Sequence, residues 1–196
     1  MASIVGLCNS ALNQIGASNI ISLTEDSKAA RICNQRYEFI RDSVFRAHPW
    51  NCLISRQALA PDATAPSFTY AYQFTLPTDP YCLRILKLSD ADIKFEVEGR
   101  KVLADETPLN VVFVARVIDT NQYDMLLVET IVAALAADIA YPLSGSITLA
   151  AQLSTLYREK LKEARFVDAT EGNTVNTSSI EDSEVISANT FINARL

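Results

Sequence analysis

Histidine is all but missing from this 196-residue chain: His48 is the one copy. A catalytic or metal-binding role would need partners close by, and the neighbouring sequence offers Asn51 and Cys52 alone. A packed histidine at a helix end is the simpler expectation. The four cysteines, Cys8, Cys33, Cys52 and Cys82, are widely spaced and form no CxxC or CxH pair, so a zinc-type site is not expected. The five glycines build no phosphate loop, no dinucleotide fingerprint and no G-x-S-x-G elbow. The sequence therefore predicts no cofactor, no metal and no catalytic constellation.

Positive charge is also scarce. Seventeen Lys and Arg against 23 Asp and Glu leave a net charge of −6, which argues against a protein that grips nucleic-acid phosphates. Apolar runs are short. The longest, from Ile131 to Tyr141, is interrupted by Asp138 and closed by Pro142, and a membrane span needs about 20 residues. The opening Met-Ala-Ser-Ile-Val-Gly lacks the charged and apolar regions of a secretory leader, so free, buried thiols are expected rather than disulfides.

What is present is an ordinary globular composition, 49% hydrophobic and 20% charged. A chain of this length buries roughly 70% of its unfolded surface, enough for a core without staples. Ile4, Leu7, Cys8, Ala11, Leu12 and Ile15 follow helical spacing between a capping Ser3 and a terminating Gly16. Ser22-Leu-Thr-Glu25 has capping-box form and predicts the start of a second helix. That helix is expected to turn Ala30, Cys33, Tyr37, Ile40 and Val44 inward and Lys28, Arg31, Arg36 and Arg41 elsewhere, and to end at Pro49.

From about Leu53 to Asp119 the period becomes two. Phe68, Tyr70, Tyr72, Phe74 and Leu76 predict a half-buried strand, and Pro77-Thr-Asp-Pro80 a turn. Leu83 to Leu88 reads as another strand. Ile93, Phe95 and Val97 lead through Gly99-Arg100 into Lys101 to Leu103 as a hairpin, and Val111 to Val117 closes the set. Connections this short require antiparallel pairing. Helical character returns at about Gln122 to Tyr141, with so few charges that the helix belongs in a bundle centre or against other subunits. Pro142 and Ser144-Gly-Ser146 break it. A last helix, Ile147 to about Val167, faces inward with Leu149, Leu153, Leu156, Tyr157, Leu161 and Ala164. The expected fold is α+β: a four-helix bundle (1–52 and 120–169) with an antiparallel β module (53–119) inserted between helices 2 and 3, and a C-terminal arm (170–196).

Two further patterns bear on chemistry. Asp90 with Asp92, Glu96 with Glu98, and Asp105 with Glu106 are acid pairs of the kind glycosidases use. Glu96 and Glu98 alternate with Phe95 and Val97, however, as a solvated strand face does. Tyr70, Tyr72 and Phe74 resemble a base-stacking platform, but no Lys or Arg lies between Gln57 and Cys82, which favours core packing.

The last 27 residues, Thr170 to Leu196, differ from the rest: 12 are Ser, Thr or Asn, with no Lys or Pro. Glu171, Glu181, Asp182 and Glu184 against Arg195 give this arm a charge of −3. It cannot by itself offset an ordering cost of about 1–2 kcal/mol per residue. Yet it carries Val185, Ile186, Phe191, Ile192 and Leu196. Burying each would return about 1.5–3 kcal/mol. An arm ordered against a partner reconciles the two.

Several stretches, in order, resemble the tail tubular protein A family of short-tailed bacteriophages, the head-to-tail adaptors or gatekeepers. They are Ala11-Leu-Asn-Gln-Ile-Gly16, Ile21-Ser-Leu-Thr-Glu25, Ala29-Ala30 through Cys33 to Tyr37, Arg41-Asp42 and His48-Pro-Trp50. Tyr70-x-Tyr72-x-Phe74-x-Leu-Pro77-x-Asp79, Leu83-Arg84 and Val97-Glu-Gly99 follow. The resemblance implies a virion structural protein, not an enzyme, assembled in the host cytoplasm into a homo-oligomeric ring of about twelve copies (a dodecamer). It implies that the arm, through Val185, Ile186, Phe191, Ile192 and Leu196, binds the portal protein. The β module would face the tail nozzle (tubular protein B) and tail fibres. DNA would pass through the channel, held back or ejected, without specific binding. The competing expectations are a non-ring protein-binding adaptor and a carboxylate-based tail-associated glycoside hydrolase acting through Glu96 and Glu98.

Overall fold

The structure is a computed structural model that describes residues 3–171. The arm residues expected to bind a portal, Val185, Ile186, Phe191, Ile192 and Leu196, lie outside the described residues. Within them the chain runs α1 (Ile4–Ile15), α2 (Lys28–Ala47), β1 (Ile54–Leu59), β2 (Tyr72–Thr75), β3 (Cys82–Leu88), β4 (Phe95–Glu98), β5 (Lys101–Ala104), β6 (Leu109–Ala115), α3 (Met125–Ser144) and α4 (Ile147–Glu171). The fold is α+β, with four helices and two small antiparallel sheets inserted between α2 and α3.

Helix ends follow local chemistry. The Ser3 hydroxyl accepts from the Gly6 amide at 3.0 Å, and Gly16 takes the left-handed conformation that stops α1. The capping box at Ser22 sits one turn too early. Glu25 instead accepts from the Ile21 amide at 2.8 Å within the loop, and Ser27 caps α2 by accepting from Ala30. Arg41, expected to point outward, is only 4% exposed. Its guanidinium lies over the Tyr37 and Phe45 rings and pairs with Asp42 at 2.9 Å, so an aromatic and charged lining replaces water. Pro142 does not break α3 but sits inside its last turn, where Gly145 ends it.

α3 is the hub. Eleven of its residues are buried, from Leu127 and Ile131 through Leu135 and Ala136 to Ile139, and α1, α2 and α4 all pack against it. Its 20 residues are long and apolar enough to cross a membrane by length and composition; this burial accounts for that composition. Its remaining charges are matched: Asp138 receives a two-pronged contact from Arg36 (2.7 and 2.9 Å), and Glu129 meets Lys160 at 2.7 Å. Asp124 caps its start by accepting from Leu126.

The sheets have strand orders β1-β6-β3 and β2-β5-β4. Phe74, Val102, Leu109 and Phe113 from the two sheets form a second, smaller core. β1 was not resolved as a separate strand in the sequence, because its only fully buried residue is Leu59. The expected strand from Phe68 is shorter. Thr69 adopts φ 73°, a left-handed conformation costly for a β-branched residue, and this interrupts the alternation. Phe68 is left 81% exposed and Tyr72 partly exposed, so only Phe74 and Leu76 of that run reach the core.

Candidate functional site

The acids with an enzymatic reading do not converge on a site. Glu96 and Glu98 both lie exposed on β4, as a solvated strand face requires. Asp90 accepts from the Asp92 amide in a turn, and Asp105 accepts from the Ala71 amide. Among the described residues, no group of three His, Cys, Asp or Glu is placed to hold a metal ion. The four cysteines are unpaired, with Cys8, Cys33 and Cys82 buried. A hydrogen bond with Cys33, then burial, pushes the Cys8 thiol up.

His48 has a partner that its local sequence hides. Its Nε2 lies 3.0 Å from Asp168 of α4, 120 residues away, and its ring meets Trp50 edge-on at 4.9 Å. The same carboxylate accepts from the Asn51 amide at 3.0 Å, while the Asn51 side chain donates to the Asp168 carbonyl at 2.6 Å. Arg165 donates to the Ala47 carbonyl at 2.8 Å. Together these contacts fasten the last turns of α4 to the end of α2. Asp168 is buried, with one partner on each carboxylate oxygen, so the cluster acts as a joint between helices.

A cleft of about 560 Å³ lies between α2, β3 and the β4–β5 hairpin. Among the described residues, Arg46, Arg84, Arg100 and Arg116 line it, with Asp42 as the only acid, in a chain whose net charge is −6. Three of these arginines are engaged. Arg46 donates to the Leu83 carbonyl. Arg100 donates to the carbonyls of Cys82 and Pro77, both at 2.7 Å, which ties the hairpin to the start of β3. Arg116 pairs with Asp42 at 2.5 Å. The Arg100 and Arg116 guanidiniums stack over the Tyr81 ring at 4.0 and 4.3 Å from its centroid.

Arg84 is different. It is half-buried on β3, makes no side-chain hydrogen bond or ion pair among the described residues, and its Nε is buried with no acceptor there. The Arg116 Nε is likewise buried and unmatched. β3 shifts register between Cys82 and Arg84 and again between Ile85 and Lys87, irregularities of the kind that re-aim a side chain. Burial pushes the Cys82 thiol up, while Arg100 and Arg46 pull it the other way. Leu76, Ile85, Phe95 and Val97 supply apolar walls. Fork-shaped guanidiniums beside apolar walls are suited to carboxylates carried on a partly hydrophobic segment.

Little of this cleft is legible in the sequence. The four arginines are dispersed over 70 positions, and only Leu83-Arg84 and Gly99-Arg100 stood out in the sequence, as a strand start and a turn. The bundle also exposes large apolar side chains: Phe39 on α2 (68%), Phe166 on α4 (72%), and Tyr141 with Ile147 at the α3–α4 corner. Compared with known proteins, the sequence matches no family model and no curated protein.

Proposed function

We propose that this protein is a structural head-to-tail adaptor of the tail tubular protein A kind, forming a ring between the portal and the tail nozzle of a short-tailed phage. The reading rests on the ordered motifs that resemble that family and on a body with the same helix–β–helix plan. The observation that carries it furthest is the position of α3. With that helix enclosed by the other three, lateral subunit contacts fall to α2 and α4, whose outer faces present Phe39 and Phe166. A closed head-to-tail ring needs two different complementary surfaces on each subunit, and two different helices offer them. The joint at Asp168 holds the last turns of α4 against the end of α2, which supports reading the residues beyond that helix as an arm for a partner.

The test is attachment to the purified portal protein of the same phage, followed by sedimentation. The full chain should co-sediment with the portal. A variant lacking residues 175–196 should not, while keeping the same thermal transition. Undiminished binding by the shortened chain would remove the arm from the interface.

A further inference from the structure

We propose that the arginine-lined cleft is a docking site for the acidic stretch Glu181–Glu184 of the same chain, so that the unassembled subunit holds its own C-terminal segment against the junction of helices and sheets. The inference does not depend on the ring reading, because it concerns the isolated subunit.

Four arginines facing one acid form the positive half of the contact. Glu181, Asp182 and Glu184 form the negative half, and Val185 and Ile186 follow immediately, matching the apolar wall of Ile85, Phe95 and Val97. Arg84 supplies the independent sign that an acceptor is missing: its Nε is buried and unmatched, although a buried guanidinium nitrogen without an acceptor is costly. Reach is sufficient. Asp168 and Arg165 hold the end of α4 against Ala47, His48 and Asn51, directly after Arg46 of the cleft. From Glu171 to Glu181 the chain spans up to about 33 Å when extended, at about 3.3 Å per residue. The geometry favours a segment of the same subunit, since the tether makes its local concentration high without help from a second copy. Such docking would cover the hydrophobic pair next to the acids until a partner competes for the arm.

The experiment uses the full chain. A spin label is placed at Glu98→Cys, exposed on β4 next to the cleft wall, in a background carrying Cys52→Ser, and amide signals of residues 180–186 are followed by NMR. Those signals should lose about half their intensity or more at low salt and recover in about 1 M salt, where the Debye length is only about 3 Å. Arg84→Glu should also restore them. Should that variant unfold, the combined Glu181→Gln, Asp182→Asn and Glu184→Gln substitutions, outside the described body, should restore them in a folded protein. Signals that never broaden, or broadening unchanged by salt and by the charge substitutions, would overturn the proposal. So would broadening seen only between a spin-labelled copy and a separate isotope-labelled copy.

Discussion

Asp168 shows how much a single side chain does at a junction. It is 7% exposed and accepts from the Asn51 amide and the His48 ring, so its loss leaves a partly buried N–H without a partner. Asp168→Ala should lower unfolding free energy by about 1–3 kcal/mol, read from urea transitions of the full chain. Asp62 makes a pH-dependent contribution. The Lys101 ammonium, assisted by the Thr75 hydroxyl and opposed by burial, holds its carboxyl below the usual carboxylate range. A depressed folded-state value gives stability that is present above the unfolded value and lost as pH falls through the folded one. Asp62→Asn should therefore be less stable than the parent near neutral pH, and the difference should vanish in strong acid. Thermal unfolding across that range measures it, and a difference that persists in acid would assign the effect to packing instead. Arg41 carries the opposite lesson about legibility. Its charge suggested a solvated position, but two aromatic rings and Asp42 make burial tolerable, and all three were spread along the same helix where periodicity alone could not weigh them.

At the scale of elements, the strongest sequence signals were those with one dominant cause. α1 has an apolar stripe, a serine cap and a terminating glycine, and all three agree with the structure. The β4–β5 hairpin follows from Gly99 at φ 57° between two alternating runs. Signals failed where two causes competed. At Ser22 a legitimate capping pattern was used to shape a loop, and Ser27 took over the cap. Thr69 cut short an alternating run whose side chains gave no warning of a left-handed backbone. The cleft was unreadable for another reason: its arginines come from four separated segments, and only tertiary packing brings them together. α3 makes a direct prediction. Its alanines, including Ala136 with no exposed surface, let three helices approach one axis. Ala136→Leu should overpack that axis and cost about 1–3 kcal/mol in denaturant unfolding, unlike Ala→Leu at the exposed Ala151 of α4.

The whole molecule joins a helical body to a β module through arginines that bind backbone carbonyls and an aspartate across the boundary. α2 and α4 carry the exposed phenylalanines that a neighbouring copy would cover, and Phe39→Glu with Phe166→Glu should leave the subunit folded while preventing lateral association. For the proposed ring adaptor, the most direct measurement is electron microscopy of this protein mixed with the portal protein of the same phage. Closed rings of about twelve subunits seated on the portal are expected, and absent for the double phenylalanine variant. Single copies scattered on the portal, or rings that form equally well from the variant, would contradict a ring adaptor built through α2 and α4.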